Sequence, residues 1–165
     1  MKLNNEIKMD CLEQIFKLKK EGKIIGFTAS TFDLGPHSGH DVMLMEAKQN
    51  CDFLIVGLLT DPTISRKEKN APVQTTFERW IQASSNRYID MIIPFDTEQD
   101  LEDMLKIIMP DVRFVGEEYK GKPHTGSDIE GIEIIYNKRR HSFSSSSLRE
   151  RVCQKGCKLE EKKEA

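Results

Sequence analysis

Short apolar runs alternate with longer amphipathic segments along most of this chain. Each run is rich in β-branched or aromatic residues and lacks the strict alternation of a half-exposed strand. The runs predict five strands buried on both faces: Ile24–Ala29, Phe53–Leu59, Met91–Pro94, Val112–Gly116 and Ile132–Tyr136. The intervening segments predict helices at Gly39–Gln49, Thr75–Ser85 and Glu98–Met109, and a last one that begins near Ser145–Leu148. This order predicts an α/β fold, a Rossmann-like five-stranded parallel sheet flanked by helices, with ligands beyond the carboxyl ends of the strands.

The two ends of the chain fall outside this alternation. Residues 1–22 predict an extra N-terminal helix, whose apolar face recurs at Ile7, Cys11, Ile15 and Leu18. That face must pack on the helix's own sheet or on a partner subunit. Beyond Arg151 the chain is rich in Lys and Glu without an apolar stripe, so we expect fraying or disorder. The predicted division is a helical extension (1–22), a central domain (23–152) and a charged flexible tail (153–165).

Composition excludes several classes of protein without indicating a function. The 165 residues include 25 basic and 27 acidic side chains, so the net charge is -2 and a globally basic nucleic-acid binder is excluded. No stretch approaches the roughly 20 apolar residues of a membrane span, and no secretory signal is visible at the start. Four scattered cysteines are too few for a disulfide framework. We therefore expect a cytoplasmic protein with no nucleic-acid or membrane partner.

The loop after the first predicted strand carries the most informative side chains. It reads Thr31-Phe32-Asp33-Leu34-Gly35-Pro36-His37-Ser38-Gly39-His40 and leads into a helix. A helix amino end offers free N–H groups and partial positive charge, imidazoles can donate hydrogen bonds to a phosphate, and Gly39 permits close approach. Zinc ligation, and a plain helix cap with surface histidines, are the alternatives for the histidine pair.

This stretch resembles the HxGH signature of the nucleotidyltransferase superfamily. The preceding Thr31-Phe32-Asp33 is similar to the form found in cytidylyltransferases of the glycerol-3-phosphate type. That family usually has three positions from the Asp to the first His, whereas Asp33 and His37 are four apart because Gly35-Pro36 replaces one bulky residue. We therefore expect the loop to bulge, which affects His37 more than His40. The resemblance covers roughly residues 24–152.

Two further loops continue the resemblance on the side of the second and third strands. Lys67 and Lys69 occupy the family's position for lysines that neutralise phosphates, although a charge run in a loop is otherwise a solvated surface. The segments 77–80 and 86–90 are similar to the family's Glu-x-Arg and Arg-Tyr-Val-Asp. This implies that Arg79 lies on the acceptor-phosphate side and that Arg87 lies near the acceptor pocket or a subunit interface. An ion pair with Asp90 or Glu78 is the alternative for Arg87.

The last two loops complete the set of implied contacts. Gly116-Glu117-Glu118-Tyr119 is similar to the family's Gly-acid-acid-aromatic segment, and of the two acids we favour Glu117. On an extended chain the two side chains would point apart, so one acts alone. The run Phe143–Ser147 resembles Ile-Ser-Thr-Thr-x, with Arg139 at the basic position upstream. Hydroxyls and N–H groups at a helix start bind phosphate well, and an ordinary serine cap is the alternative.

The resemblance implies nucleotidyl transfer, in which an acceptor phosphate attacks the α-phosphate of a nucleoside triphosphate and pyrophosphate leaves. It implies CTP and a glycerol 3-phosphate-like alcohol; the alternatives are ATP with a sugar phosphate, and a nucleotide-binding protein without activity. The implied catalytic residues are His37, His40 and Lys67. The implied nucleotide-binding residues are Thr31, Phe32, Asp33, Gly39, Glu117, Arg139, Ser144, Ser145 and Ser146. The implied acceptor-phosphate residues are Lys69, Arg79 and Arg87. Mg²⁺ would arrive with the nucleotide rather than on a protein site, and a homodimer is expected.

Overall fold

All five predicted strands pair in parallel in a single sheet. A computed structural model describes the backbone of residues 5–160 and the side chains of residues 10–156. The strands are β1 (Ile25–Ser30), β2 (Phe53–Leu59), β3 (Met91–Phe95), β4 (Val112–Gly116) and β5 (Glu133–Asn137). The helices are α1 (Asn5–Lys20), α2 (Ser38–Lys48), α3 (Thr76–Ser84), α4 (Glu98–Ile108) and α5 (Ser145–Glu160), and a 3-10 turn, Glu117–Tyr119, follows β4. The predicted α/β fold class is confirmed.

The strand order places β1 at the centre of the sheet. The order is β3-β2-β1-β4-β5, so β1 pairs with β2 on one side and with β4 on the other. The chain therefore moves outward from β1 in one direction and then returns to build the other half of the sheet. In parallel α/β sheets this reversal opens a crevice at the carboxyl ends of the central strands.

The two faces of the sheet carry separate cores. On one face, Ile15 of α1 packs with Phe27 and with Leu105 of α4. On the other, Leu44 of α2 packs with Ala83 near the end of α3. The apolar face of α1 is thus covered by its own sheet, which settles one of the two possibilities left open by the sequence; the side chain of Ile7 lies outside the described residues.

The last helix extends further than the sequence predicted. Residues expected to form a frayed tail continue α5 as far as Glu160, and residues 161–165 lie outside the described part of the chain. Five of the nine residues from Val152 to Glu160 are Gln, Lys, Leu or Glu, which favour helix without needing an apolar stripe. Gln154 Nε2 also donates to Glu150 Oε1 at 3.2 Å, one turn away. Within the described residues, no helix has the length and apolar character needed to cross a membrane.

Replacing Ile15 by alanine is expected to lower the free energy of unfolding by about 2–5 kcal/mol, the usual effect of a large-to-small change in a packed core. Ile15 is fully buried, whereas the adjacent Phe16 is 44% exposed, so Phe16→Ala is the matched control. We expect that control to change the free energy by less than about 1 kcal/mol. Urea unfolding measures both, and wild-type stability in Ile15→Ala would show that α1 is not part of the core.

Candidate active site

A cleft of about 720 Å³ opens at the carboxyl ends of the strands. Its volume is in the range of small-molecule sites. The loop after β1, the loop after β2, the turn after β4 and the segment before α5 border it. It therefore lies where the strand order reverses, which is the position that the sequence predicted for a ligand.

The loop after β1 bulges, and three of its residues have left-handed backbone conformations. Phe32, Leu34 and Gly35 have φ angles of 51°, 62° and 92°, a region that favours glycine. Gly35 N donates to Gln74 Oε1 at 2.9 Å, which fixes the turn from outside. The bulge takes up the extra residue before His37. The predicted bulge is thus confirmed, and His37 still reaches the start of α2.

His37 and His40 form a capping box at the amino end of α2. His37 Nδ1 accepts from Gly39 N at 3.1 Å, and His40 Nδ1 accepts from His37 N at 3.4 Å. Because each Nδ1 is an acceptor, the proton of each neutral ring is assigned to Nε2. His37 Nε2 lies 3.2 Å from Ser145 Oγ, and His40 Nε2 lies 3.4 Å from Ser30 Oγ. The cap therefore uses one nitrogen of each ring and leaves the other as a donor beside the cleft.

Burial keeps both imidazoles neutral. It lowers the pKa of His40 to about 3, with a further contribution from positive charge on the neighbouring His37. The two rings stack with centroids 3.9 Å apart, and the buried Phe32 ring packs edge-on against His40 at 4.8 Å. Burial also lowers the pKa of His37; the Asp41 carboxylate opposes this effect, and His141 and Arg139 add to it. The pair therefore offers uncharged N–H donors.

Gly39 is required by close packing over the helix start. A Cβ at this position would lie 2.9 Å from Cε1 of His141, 3.1 Å from Cε1 of His37 and 3.1 Å from the carbonyl oxygen of Phe143. Any side chain would push these groups apart. The predicted role of Gly39 in close approach therefore has a specific geometric reason.

The amino end of α5 faces that of α2 across the cleft. Ser144 Oγ accepts from Ser147 N at 3.0 Å and so caps the helix. Ser145 Oγ bridges towards His37, and Ser146 lines the cleft without a hydrogen bond to another described residue. Arg139 also lines the cleft and donates to the carbonyl oxygen of Phe143 at 2.9 Å. The start of α5 therefore combines a serine cap, Ser144, with one hydroxyl, that of Ser146, that no other described residue binds.

Comparison with known proteins identifies the family. Residues 27–151 match the family model described as cytidylyltransferase-like. This chain belongs to the cytidylyltransferase-like family. Membership supports a nucleotidyltransferase enzyme, as the HxGH resemblance implied.

Curated relatives of this family member are longer proteins. The bifunctional protein HldE of Campylobacter jejuni is 34% identical over 145 residues, which are 87% of this chain and 31% of the relative. HldE of Caulobacter vibrioides is 34% identical over 151 residues, with the same coverage of 87% and 31%. The cytidylyltransferase-like chain thus spans about a third of the length of these relatives.

Solved structures show the same fold. The lipopolysaccharide core biosynthesis protein from Thermoplasma volcanium has a TM-score of 0.52 and 21% identity, covering 82% of this chain and 90% of that one. Pantoate-beta-alanine ligase from Francisella tularensis has a TM-score of 0.55 and 17% identity, covering 84% and 70%. At these identities the likeness concerns architecture alone.

Asp33, predicted to bind nucleotide, is instead fully engaged by the protein. Its buried carboxylate accepts from Val73 N at 2.9 Å and Gln74 N at 3.0 Å, and it pairs with Arg149. Burial acts to raise the pKa of Asp33, but the two amides and Arg149 outweigh it and the pKa is lowered. This carboxylate borders the cleft, and its three hydrogen bonds within the protein hold it in place. Thr31 lines the cleft beside it and presents a hydroxyl that no described residue binds.

Arg79 and Arg87 do not reach the cleft, contrary to the acceptor-phosphate prediction. Arg79 is 1% exposed. All five of its N–H donors are used inside the protein, by the carbonyls of Thr31, Leu59, Thr60 and Gln74 and by the hydroxyl of Thr76. Arg87 lies at the amino end of β3, away from the cleft, with its guanidinium 5.5 Å from the ring centroid of Tyr88. It pairs with neither predicted acid, because Asp90 pairs with Lys48 and Glu78 caps α3.

The loop after β2 presents different cations from those expected. Lys67 is exposed and does not line the cleft, so its predicted catalytic position is not supported. Lys69 does line it, as does Arg66, which pairs with Glu98 at 3.1 Å. Positions 66, 69 and 70 of this loop therefore line the cleft, whereas position 67 does not.

The acid at the cleft is Glu118 rather than Glu117. Glu117 accepts from Arg139 N at 2.9 Å and lies outside the cleft lining. The Glu118 carboxylate folds back over Gly116, where a Cβ would collide with its Oε2. It lines the cleft without a side-chain hydrogen bond to the described residues. The two acids follow each other on a 3-10 turn, not on the extended chain that was assumed.

Several residues of the cleft were not predicted: Glu98, Arg113, His124, Thr125, Asn137 and His141. Arg113 is a buried charge in the otherwise apolar β4, which is the signal that could have identified it. It donates to the carbonyl oxygen of Thr125, whose hydroxyl donates to Glu98 at 2.5 Å. Among the described residues, no group of three or more His, Cys, Asp or Glu side chains could hold a metal ion.

We expect His40 to remain neutral across the pH range in which an exposed histidine titrates, because its pKa is lowered to about 3. Imidazole ¹⁵N NMR from about pH 8 to pH 4 should show protonated Nε2 and unprotonated Nδ1 throughout, whereas the urea-unfolded protein should titrate near the ordinary value of about 6.5. Since only the unfolded state gains this proton, stability should fall as the pH falls below that value. A folded-state midpoint near the ordinary value would contradict the burial argument.

Asp33→Asn is expected to destabilise the protein by about 1–3 kcal/mol at neutral pH, because the amide still accepts hydrogen bonds but lacks the charge opposite Arg149. The pKa of Asp33 is lowered on folding, so the contribution of the carboxylate is present above about pH 4 and is lost as the pH falls through the folded-state pKa. The difference between variant and wild type should therefore shrink in acid. Urea unfolding at neutral and acidic pH tests this, and a pH-independent difference would contradict it.

Proposed function

We propose that this chain transfers an adenylyl group from ATP to the phosphate of a sugar phosphate and releases pyrophosphate. The observation that carries nucleotidyl transfer is the meeting of two helix amino ends, with His37, His40 and Ser145, over the crevice where the strand order reverses. The HldE relatives favour ATP with a sugar phosphate over CTP with glycerol 3-phosphate, which was the first expectation from sequence.

The reaction needs alignment and charge stabilisation rather than a covalent intermediate. An oxygen of the acceptor phosphate forms a bond to the α-phosphorus while the bond to the bridging oxygen breaks, and that oxygen leaves with the electron pair as part of pyrophosphate. His40 and His37 each hold an Nε2–H beside the cleft, supported by backbone N–H groups behind them. Donors that are already in place stabilise the developing charge without reorganisation.

The part of the cleft that does not include His37 and His40 suits a hydroxyl-rich acceptor. It is lined by Glu98, Glu118, Tyr119, His124 and Thr125. Carboxylate, hydroxyl and imidazole groups together supply both donors and acceptors, which is what sugar hydroxyls require. Lys69 and Arg66 lie on the loop above and replace Lys67 and Arg79 as the cations available to the acceptor phosphate.

Mg²⁺ is proposed to enter with the triphosphate. Asp33, the one carboxylate that the sequence placed near the phosphates, is occupied by Val73, Gln74 and Arg149. Phosphate oxygens and water would therefore supply most of the ligands, as is common for Mg²⁺ bound with nucleotides. When bound, the ion would neutralise triphosphate charge.

The homodimer also stays a prediction.

We favour an active enzyme over the non-catalytic alternative. It depended on the extra residue before His37, which the left-handed run at Phe32, Leu34 and Gly35 absorbs. His37 remains the N-cap and keeps its contact with Ser145.

Pyrophosphate release tests the proposed function. The protein should release pyrophosphate with ATP and a member of a sugar-phosphate panel, and less with CTP or with glycerol 3-phosphate. His40→Ala should keep the fold by circular dichroism and lower kcat by at least about a hundredfold, the usual effect of losing one such donor. Lys106→Ala, on the exposed side of α4, is the charge control and should keep wild-type kcat.

The outcomes separate the alternatives. Release only with CTP and glycerol 3-phosphate would restore the cytidylyl hypothesis. Release by His40→Ala at the wild-type rate would contradict the assigned site. No release with any pair would favour a nucleotide-binding protein.

A further inference from the structure

His141 covers the amino end of α2 without a partner of its own. Its ring stacks on Phe143, with centroids 5.1 Å apart and 23° between planes, and its Cε1 lies 2.9 Å from where a Cβ of Gly39 would be. Neither ring nitrogen bonds to another described residue, and Nδ1 is buried without a partner. A buried polar atom left in this state is rare in native proteins and calls for a ligand or a rearrangement on binding.

The unpartnered atoms are not scattered over the molecule. Within the described residues, four buried side-chain nitrogen or oxygen atoms have no partner, and they belong to Arg66, His124, Asn137 and His141. All four residues line the same cleft. The clustering indicates that these atoms are left for whatever occupies the cleft.

The surroundings of His141 are electropositive. His141 and Arg139 both act on His37 in the direction that lowers its pKa, and Asp41 is the acid that opposes them. Arg139 donates to the carbonyl oxygen of Phe143, and that oxygen would lie 3.1 Å from a Cβ at Gly39. His141 and Arg139 therefore gather at the same point above the start of α2, on the side of α5. Cationic and N–H groups in such an arrangement are suited to an anion.

We propose that His141 is a third phosphate-binding imidazole, which holds the pyrophosphate part of the triphosphate while His37 and His40 serve the α-phosphate. This inference rests on the proposed nucleotidyl transfer. When the bridging oxygen leaves with the electron pair of the broken bond, an N–H of His141 and the guanidinium of Arg139 donate to the departing pyrophosphate. His141 thus stabilises the leaving pyrophosphate, whereas His37 and His40 stabilise the α-phosphate at the other end of the bond that breaks.

The competing explanation is that His141 only packs on Phe143. Two variants separate packing from hydrogen bonding. His141→Phe keeps an aromatic ring against Phe143 but has no N–H, whereas His141→Gln removes the ring but keeps an N–H donor. Lys106→Ala, which changes a charge on the exposed side of α4, is the control for net charge.

Binding of inorganic pyrophosphate, measured by calorimetry in the presence of Mg²⁺, tests the proposal without requiring turnover. We expect His141→Phe to raise the Kd about tenfold to a hundredfold, the effect of losing a hydrogen bond to a charged group, and His141→Gln to recover part of it. The KM for pyrophosphate in the reverse reaction should rise by a similar factor.

Wild-type affinity in His141→Phe would overturn the proposal, and so would failure of the wild-type protein to bind pyrophosphate. If pyrophosphate binds in a His141-dependent way but no triphosphate and acceptor react, the proposed function fails while the anion site stands. If turnover is normal and His141→Phe binds pyrophosphate as wild type does, the function stands and this inference fails.

Discussion

The buried carboxylate of Asp33 is the constraint on which the cleft depends. It joins three segments that are far apart in sequence: the loop after β1, the backbone amides of Val73 and Gln74, and Arg149 of α5. Without it, the two amides would lose their acceptor and Arg149 would lose its counter-charge, each of which is unfavourable. Asp33 therefore helps to position the two helix amino ends that face each other at His37 and Ser145.

Arg79 also holds segments of the chain together beneath the cleft. Its guanidinium satisfies carbonyl groups at the ends of β1 and β2, where the chain leaves the sheet and the ladder can no longer pair them. A planar fork with five donors is unusually suited to several carbonyls at once. Asp33 and Arg79 both belong to the family signature, yet both act on the scaffold. Residues that the resemblance placed in the site can therefore contribute to it by shaping it.

Fold and site differed in how far the sequence predicted them, and the reason is physical. The strands were predictable because burial on both faces requires continuous apolar runs, and β2 begins and ends where its run does. The positions of His37, His40 and Ser145 were predictable because the HxGH motif and the serine run mark the starts of α2 and α5. The loops were not, because a shift of one or two residues in the path of the chain exchanges Lys67 for Arg66 or Lys69, and a 3-10 turn exchanges Glu117 for Glu118. The sequence shows which residues a loop contains, but it does not show which of their side chains face the cleft.

The low pKa of His40 bears on how such a site works at a net charge of -2. A cationic imidazole buried at a helix amino end would face the positive end of the dipole and the neighbouring His37, so the protein would be destabilised whenever the cleft was empty. A neutral imidazole avoids that cost and still donates through Nε2. Attraction for the triphosphate is then left to groups nearer solvent, Arg139 and Lys69, whose charge water stabilises in the absence of ligand. The division explains why the two stacked imidazoles are uncharged while Arg139 and Lys69 lie at the rim of the cleft.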